Sequence, residues 1–158
     1  MRGDRGQEEV RAAVEPVLVG MGFAVVELSI GRVKGSSRVH VVLYRASGVG
    51  VEDCAEASRV LFPLLQTLEG LPDVSLEVSS PGIDREIKSP AEYRIFVGRG
   101  VRILVGDSIE WFGGIIDRVE DDTVWLRKGI ETRGVPVAAI RRARLDHSVE
   151  VEETKNAV

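Results

Sequence analysis

Two histidines, one cysteine and the adjacent serines Ser79-Ser80 are the first residues of this 158-residue chain to weigh for covalent or acid–base work. His40 and His147 stand alone, and His40 falls on the outer face of a predicted strand, where a solvated imidazole is the ordinary outcome. Ser79-Ser80 offers a nucleophile. A hydroxyl needs a neighbouring base, however, and the flanks are not the Gly-x-Ser-x-Gly turn that exposes one. Cys54 lies on the apolar stripe of a predicted helix, which suits an inert packed thiol. No Cys/His cluster has metal-ligand spacing, and neither Gly98-Arg99-Gly100 nor the loop from Ala46 to Gly50 fits a phosphate loop. Asp121-Asp122 sits in a predicted hairpin turn, where aspartate is favoured for backbone reasons. The set points away from an enzyme, and neither a metal nor a cofactor is expected.

Binding chemistry is better represented. Arg127 and Lys128, with Arg141, Arg142 and Arg144, form either a basic patch or a solvated strand face. Trp111 and Trp125 are able to stack on bases, although in a small β domain such residues commonly pack a core or a hairpin. A third group closes the stretch Val74 to Arg85. There Val74, Leu76 and Val78 alternate against Ser75, Glu77 and Ser79 as a strand, which breaks at Ser80-Pro81-Gly82. Proline fixes one backbone angle at that break, and glycine permits a positive one. Ser79, Ser80, Pro81, Gly82, Asp84 and Arg85 are thus a candidate polar contact or interdomain surface. Asp84 and Arg85 are either a local ion pair tying the turn to the first domain or an outward-facing contact.

The elements that must position these groups change texture at the same stretch. Residues 7–21 read as an amphipathic helix on Val10, Val14, Leu18 and Met21, with a kink expected at Pro16. Phe23 to Ile30 and Arg38 to Arg45 read as a hairpin around the turn Arg32–Ser37. Val26, Leu28 and Ile30 share one face of the first strand, and Val39, Val41 and Leu43 face the core from the second. A second helix, Val51 to Glu69, carries Cys54, Ala57, Leu61, Leu64, Leu65 and Leu68 on one stripe, with a bend expected at Pro63. After a linker at Ser89-Pro90 come short strands at 101–105, 110–119, 123–127, 135–138 and 142–145, the texture of a small closed barrel. Gly113-Gly114 would supply its bend. The fold class expected is α+β. An N-terminal α/β domain (helix-strand-strand-helix-strand, 1–88) precedes a C-terminal small β-barrel (89–147), and residues 148–158 form a flexible acidic tail.

Composition narrows the partners. The chain carries 21 Lys/Arg against 25 Asp/Glu, divided as 10 against 13 up to residue 90 and 11 against 12 beyond it. Neither half is a basic module of the kind that neutralises many phosphates, and an acidic surface attracts cationic proteins. A polar N-terminus, the lack of a long apolar run and a single cysteine suit the cytoplasm and exclude a membrane helix.

The segment Leu76-Glu77-Val78-Ser79-Ser80-Pro81-Gly82-Ile83-Asp84-Arg85 resembles the bacterial ribosome maturation factor RimP family. The likeness extends to Glu15-Pro16-Val17, to the run from Val51 to Leu61, to Tyr93-x-x-Phe96-x-Gly98 and to the run Ile140–Leu145. Two positions depart from the family pattern. Glu86-Ile87 stands where Pro-Leu is usual, and Gly50 where a helix-capping Thr is common. The resemblance implies an Sm-like or SH3-like barrel and a non-enzymatic assembly factor. Its implied partners are the immature small (30S) ribosomal subunit, a basic small-subunit ribosomal protein and rRNA, with no membrane and the chain acting as a monomer. A stand-alone Sm-like RNA-binding module is the alternative.

Overall fold

Helical spacing of Val10, Val14 and Leu18 produces helix α1 (Arg2–Gly20), which continues through Pro16 and opens the first of two units in a computed structural model. The structure describes residues 2–156, with side chains from 6 to 155. The units are Met1–Pro81 and Gly82–Val158.

In the first unit, β1 (Ala24–Val33) and β2 (Ser36–Tyr44) pair antiparallel. The turn between them is tighter than the sequence leads one to expect. Lys34 and Gly35 alone make it, both at positive φ (48° and 83°), the geometry whose twist matches a two-residue hairpin. A bulge between Val25 and Glu27 shifts the register. Phe23, Val25 and Leu28 consequently face the core, with Ile30 packed against it. Val26, which strict alternation places with Leu28, lies outside that cluster. On β2 the expected residues Val39, Val41 and Leu43 are all buried in it.

Helix α2 (Val51–Gln66) crosses over to β3 (Val74–Ser79), which pairs parallel with β2, so that the order is β1-β2-β3. Val10, Val14 and Leu18 of α1 and Ala57, Leu61 and Leu65 of α2 share one core with β1 and β2. Each large aliphatic side chain so buried contributes about 1.5–3 kcal/mol. Gly50 begins α2 without a capping side chain of its own. Asp53 reaches back instead, its Oδ2 accepting from Gly50 N at 2.8 Å and from Arg45 Nη2 at 3.1 Å. The bond from the Gly50 amide, aided by Arg45, holds the Asp53 carboxyl below its ordinary value.

The second unit begins earlier than the linker expected at Ser89-Pro90. Glu86 bridges antiparallel to Arg144, Ile87 N donates to Ala143 O at 2.9 Å, and Leu145 N donates to Arg85 O at 2.8 Å. Residues 85–87 are therefore an edge of this unit. Helix α3 (Pro90–Ile95) leads to β4 (Gly100–Val105), β5 (Phe112–Glu120), β6 (Thr123–Lys128) and β7 (Glu131–Pro136). A 3-10 turn at Val137–Ala139 then precedes β8 (Ile140–Leu145). The segment 129–134, expected as a connection, is mostly strand β7. All ladders are antiparallel, in the order β7-β6-β5-β4-β8. No ladder among the described residues joins β7 to β8, so the pairing shows a five-stranded sheet and does not show barrel closure.

Residues expected as a loose acidic tail form helix α4 (His147–Asn156). Val149 is its buried anchor, 3% exposed. Gly100 makes room: a Cβ there would stand 2.6 Å from Asp146 O and 2.9 Å from Val149 Cβ. At Gly113 a Cβ would meet Val149 Cγ2 at 3.2 Å, so this glycine permits close approach of the helix.

Candidate functional site

Of the residues expected at the Ser79–Arg85 turn, Ser79 ends β3 in the first unit. Its Oγ lies 2.8 Å from His40 Nε2, so His40 is not the solvated residue the sequence suggested. Parallel pairing of β3 with β2 creates this contact, and nothing in the local sequence announces it. Ser80 is exposed and Pro81 partly buried. Gly82 and Asp84, in the second unit, are exposed, and Gly82 is not among the glycines at positive φ. Ile83, between them, is 76% exposed.

Arg85 differs from its neighbours. Its side chain is 9% exposed, and Nε donates at 2.8 Å to Oε1 of Glu92, which is 2% exposed. Oε2 of Glu92 accepts from Lys88 N at 3.0 Å and from Ser89 Oγ at 3.3 Å. Glu92 thus collects the segment before α3, its first turn and Arg85. A carboxylate so far from water is tolerable because its lone pairs are filled. Next to it Tyr93 is buried, and desolvation, with the Glu92 charge second, pushes its hydroxyl up to about 12. Of the two roles left open for Asp84 and Arg85, a local ion pair or an outward contact, Arg85 forms an ion pair, and its partner is Glu92.

The basic residues divide into three groups. Arg127 on β6 faces α4, with Nη1 3.6 Å from Glu153 Oε2. Arg141 bonds the carbonyls of Gly106 and, at 2.9 Å, Ser108, fastening the loop after β4. The remaining three gather on two aromatic rings at the start of β5. Arg142 and Arg144 stand 5.5 and 5.2 Å from the Trp111 ring centroid, and Lys128 stands 5.5 Å from that of Phe112. Arg133, which no sequence pattern singles out, is 5.1 Å from Phe112. Cations at these distances are drawn to the ring faces. Arg142 Nε also donates to Glu86 Oε1 at 2.8 Å, and that bond holds the Glu86 carboxyl below its ordinary range. Lys128, Arg133 and Arg144 have no carboxylate in ion-pair range among the described residues.

The two tryptophans part company. Trp125 packs on Gly134, where a Cβ would come within 3.0 Å of the ring, and Arg118 covers it at 4.6 Å. Trp111 and Phe112 instead line a cleft of about 450 Å³ together with Ile103, Val105, Lys128 and Arg133. The sequence placed both tryptophans on equal terms because spacing alone does not reveal which strand carries the small residue opposite.

Acidic residues hold α4 over the other cations of the sheet. Arg99 Nε meets Glu150 Oε1 at 2.8 Å and Arg102 Nε meets Asp146 Oδ2 at 2.7 Å. Ser148 and then Arg102, both bonded to Asp146, keep its carboxyl below the ordinary value against the opposing effect of burial. Glu153 also accepts from Gly129 N at 3.0 Å.

No group of three or more His, Cys, Asp and Glu among the described residues is arranged to hold a metal ion. No helix among them is long and apolar enough to cross a membrane. Residues 13–84, nearly the whole of the first unit, match the family model described as the RimP N-terminal domain.

Proposed function

From a chain that belongs to the RimP family through residues 13–84, a family of ribosome maturation factors, we infer a non-enzymatic assembly factor for the small (30S) ribosomal subunit. The family match is the observation that carries this reading. In it the protein acts as a cytoplasmic monomer and engages the immature subunit through rRNA and through a basic small-subunit ribosomal protein. The second unit is then a small Sm-like or SH3-like barrel. An acidic balance of 25 Asp/Glu against 21 Lys/Arg supports attraction to a cationic ribosomal protein. The exposed part of the turn, from Ser80 to Asp84, and the cation-lined face of the second unit are the surfaces assigned to contact.

Co-sedimentation tests the reading. Purified protein layered with free small subunits is expected to migrate with them. Protein left wholly at the top of the gradient overturns it. The cations on Trp111 and Phe112 favour one other reading, a stand-alone Sm-like RNA-binding module. That module would bind naked RNA tightly, lose affinity steeply with salt, and show no preference for the subunit.

A further inference from the structure

We propose that the Trp111–Phe112 edge of the second unit is a stacking site for unpaired RNA, with Lys128, Arg133, Arg142 and Arg144 as its phosphate and base partners. The choice of RNA rests on the ribosome maturation reading; the place rests on the geometry. Two consecutive aromatic residues at the start of β5 are half-buried, so each is held in place while part of it stays exposed to solvent. Each ring carries two cations between 5.1 and 5.5 Å from its centroid. Three of those four cations have no carboxylate in ion-pair range among the described residues, whereas Arg99, just before β4, Arg102 on β4 and Arg127 on β6 each pair with a carboxylate of α4. The acidic helix thus neutralises one set of basic residues and leaves the other open.

The pattern fits a single strand better than a duplex. Bases of an unpaired strand stack on aromatic faces and on guanidinium planes, and every base has such a face, so the site reads no sequence. A duplex hides its faces and offers only phosphates. An acidic peptide would satisfy the arginines but would leave Trp111 unused. Opposing charge at the cleft is small: Glu110 lines it, and Glu86 is already bonded to Arg142.

The test uses the full chain and a labelled, unstructured RNA of about 12 nucleotides, within the span of a single small binding domain. In a Trp125→Phe background Trp111 is the one remaining tryptophan, and its emission is expected to be quenched on RNA addition. Trp111→Ala should weaken binding roughly 5- to 150-fold, and Trp111→Phe should retain most of it. Arg133→Gln and Arg144→Gln, at exposed positions, should each lower the slope of log affinity against log salt by about 0.7. Unchanged affinity in these two arginine variants, or a quench absent from Trp111, overturns the proposal. Equal competition by duplex RNA or by a glutamate-rich peptide also overturns it. Co-sedimentation with subunits is scored separately. A chain that co-sediments but ignores the oligonucleotide defeats this inference alone, and one that does the reverse defeats the maturation reading alone.

Discussion

A single arginine separates structure from surface at the diagnostic turn. Ser80, Gly82 and Asp84 are exposed, but Arg85 is turned inward onto a glutamate that is itself almost fully buried. Removing one member of a buried pair strands the other charge, which costs about 3–5 kcal/mol. Arg85→Ala is therefore expected to lower the stability of the second unit by that order, read as a shift of its urea midpoint. A shift worth less than about 1 kcal/mol, typical of exposed pairs, would mark Arg85 as a surface residue after all. The sequence makes Arg85 conspicuous but leaves open whether it forms a local ion pair or faces outward. Asp84 is adjacent in the chain, while Glu92 is reached only because 85–87 runs along β8 and α3 folds back from it. Arg133 is inconspicuous in the sequence for a related reason. Its ring partner, Phe112, belongs to β5, and the cross-strand geometry that brings them together is not written in either segment.

Among the elements, those with strong periodicity were legible and those held by polar contacts were not. The second helix and the alternating strands of the first unit lie close to their expected limits, while α1 begins at Arg2 rather than at residue 7. The bulge at Val25 moved the inward set of β1, since an extra residue reverses the alternation that a reading of period two assumes. The sequence of α4 reads as a tail because one buried valine makes no stripe. What fixes it is a row of carboxylates on Arg99, Arg102 and Arg127, together with the space over Gly100. Gly100→Ala should consequently force α4 away from β4, destabilising the unit by about 1–3 kcal/mol as overpacking does. Amide hydrogen exchange would locate the effect. Faster exchange confined to residues 147–155 is the expected result, and protection equal to the parent there would refute the packing role assigned to Gly100.

At the scale of the whole chain, the division falls after Pro81, three residues before the end of the matched family domain at residue 84. Composition suggested a boundary near residue 88, because Ser89-Pro90 looks like a linker; backbone pairing of 85–87 with β8 moves it upstream. Brief digestion with a broad-specificity protease should accordingly cut between Ser80 and Asp84, where every side chain but that of Pro81 is exposed and no ladder runs. Primary cleavage at 86–90 instead would contradict the pairing of that segment. The same pairing has a temporal consequence. The first unit has all its strands once residue 79 has been made, and its sheet is complete while the ribosome is still translating. The second cannot engage its own opening segment until residues 143–145 exist, and α4 follows later still. Long-range pairing of this kind is slow to form, and domains emerge in N-to-C order. During synthesis, then, the chain passes through a stage in which a finished N-terminal unit precedes a second unit whose opening segment and last strand have yet to meet.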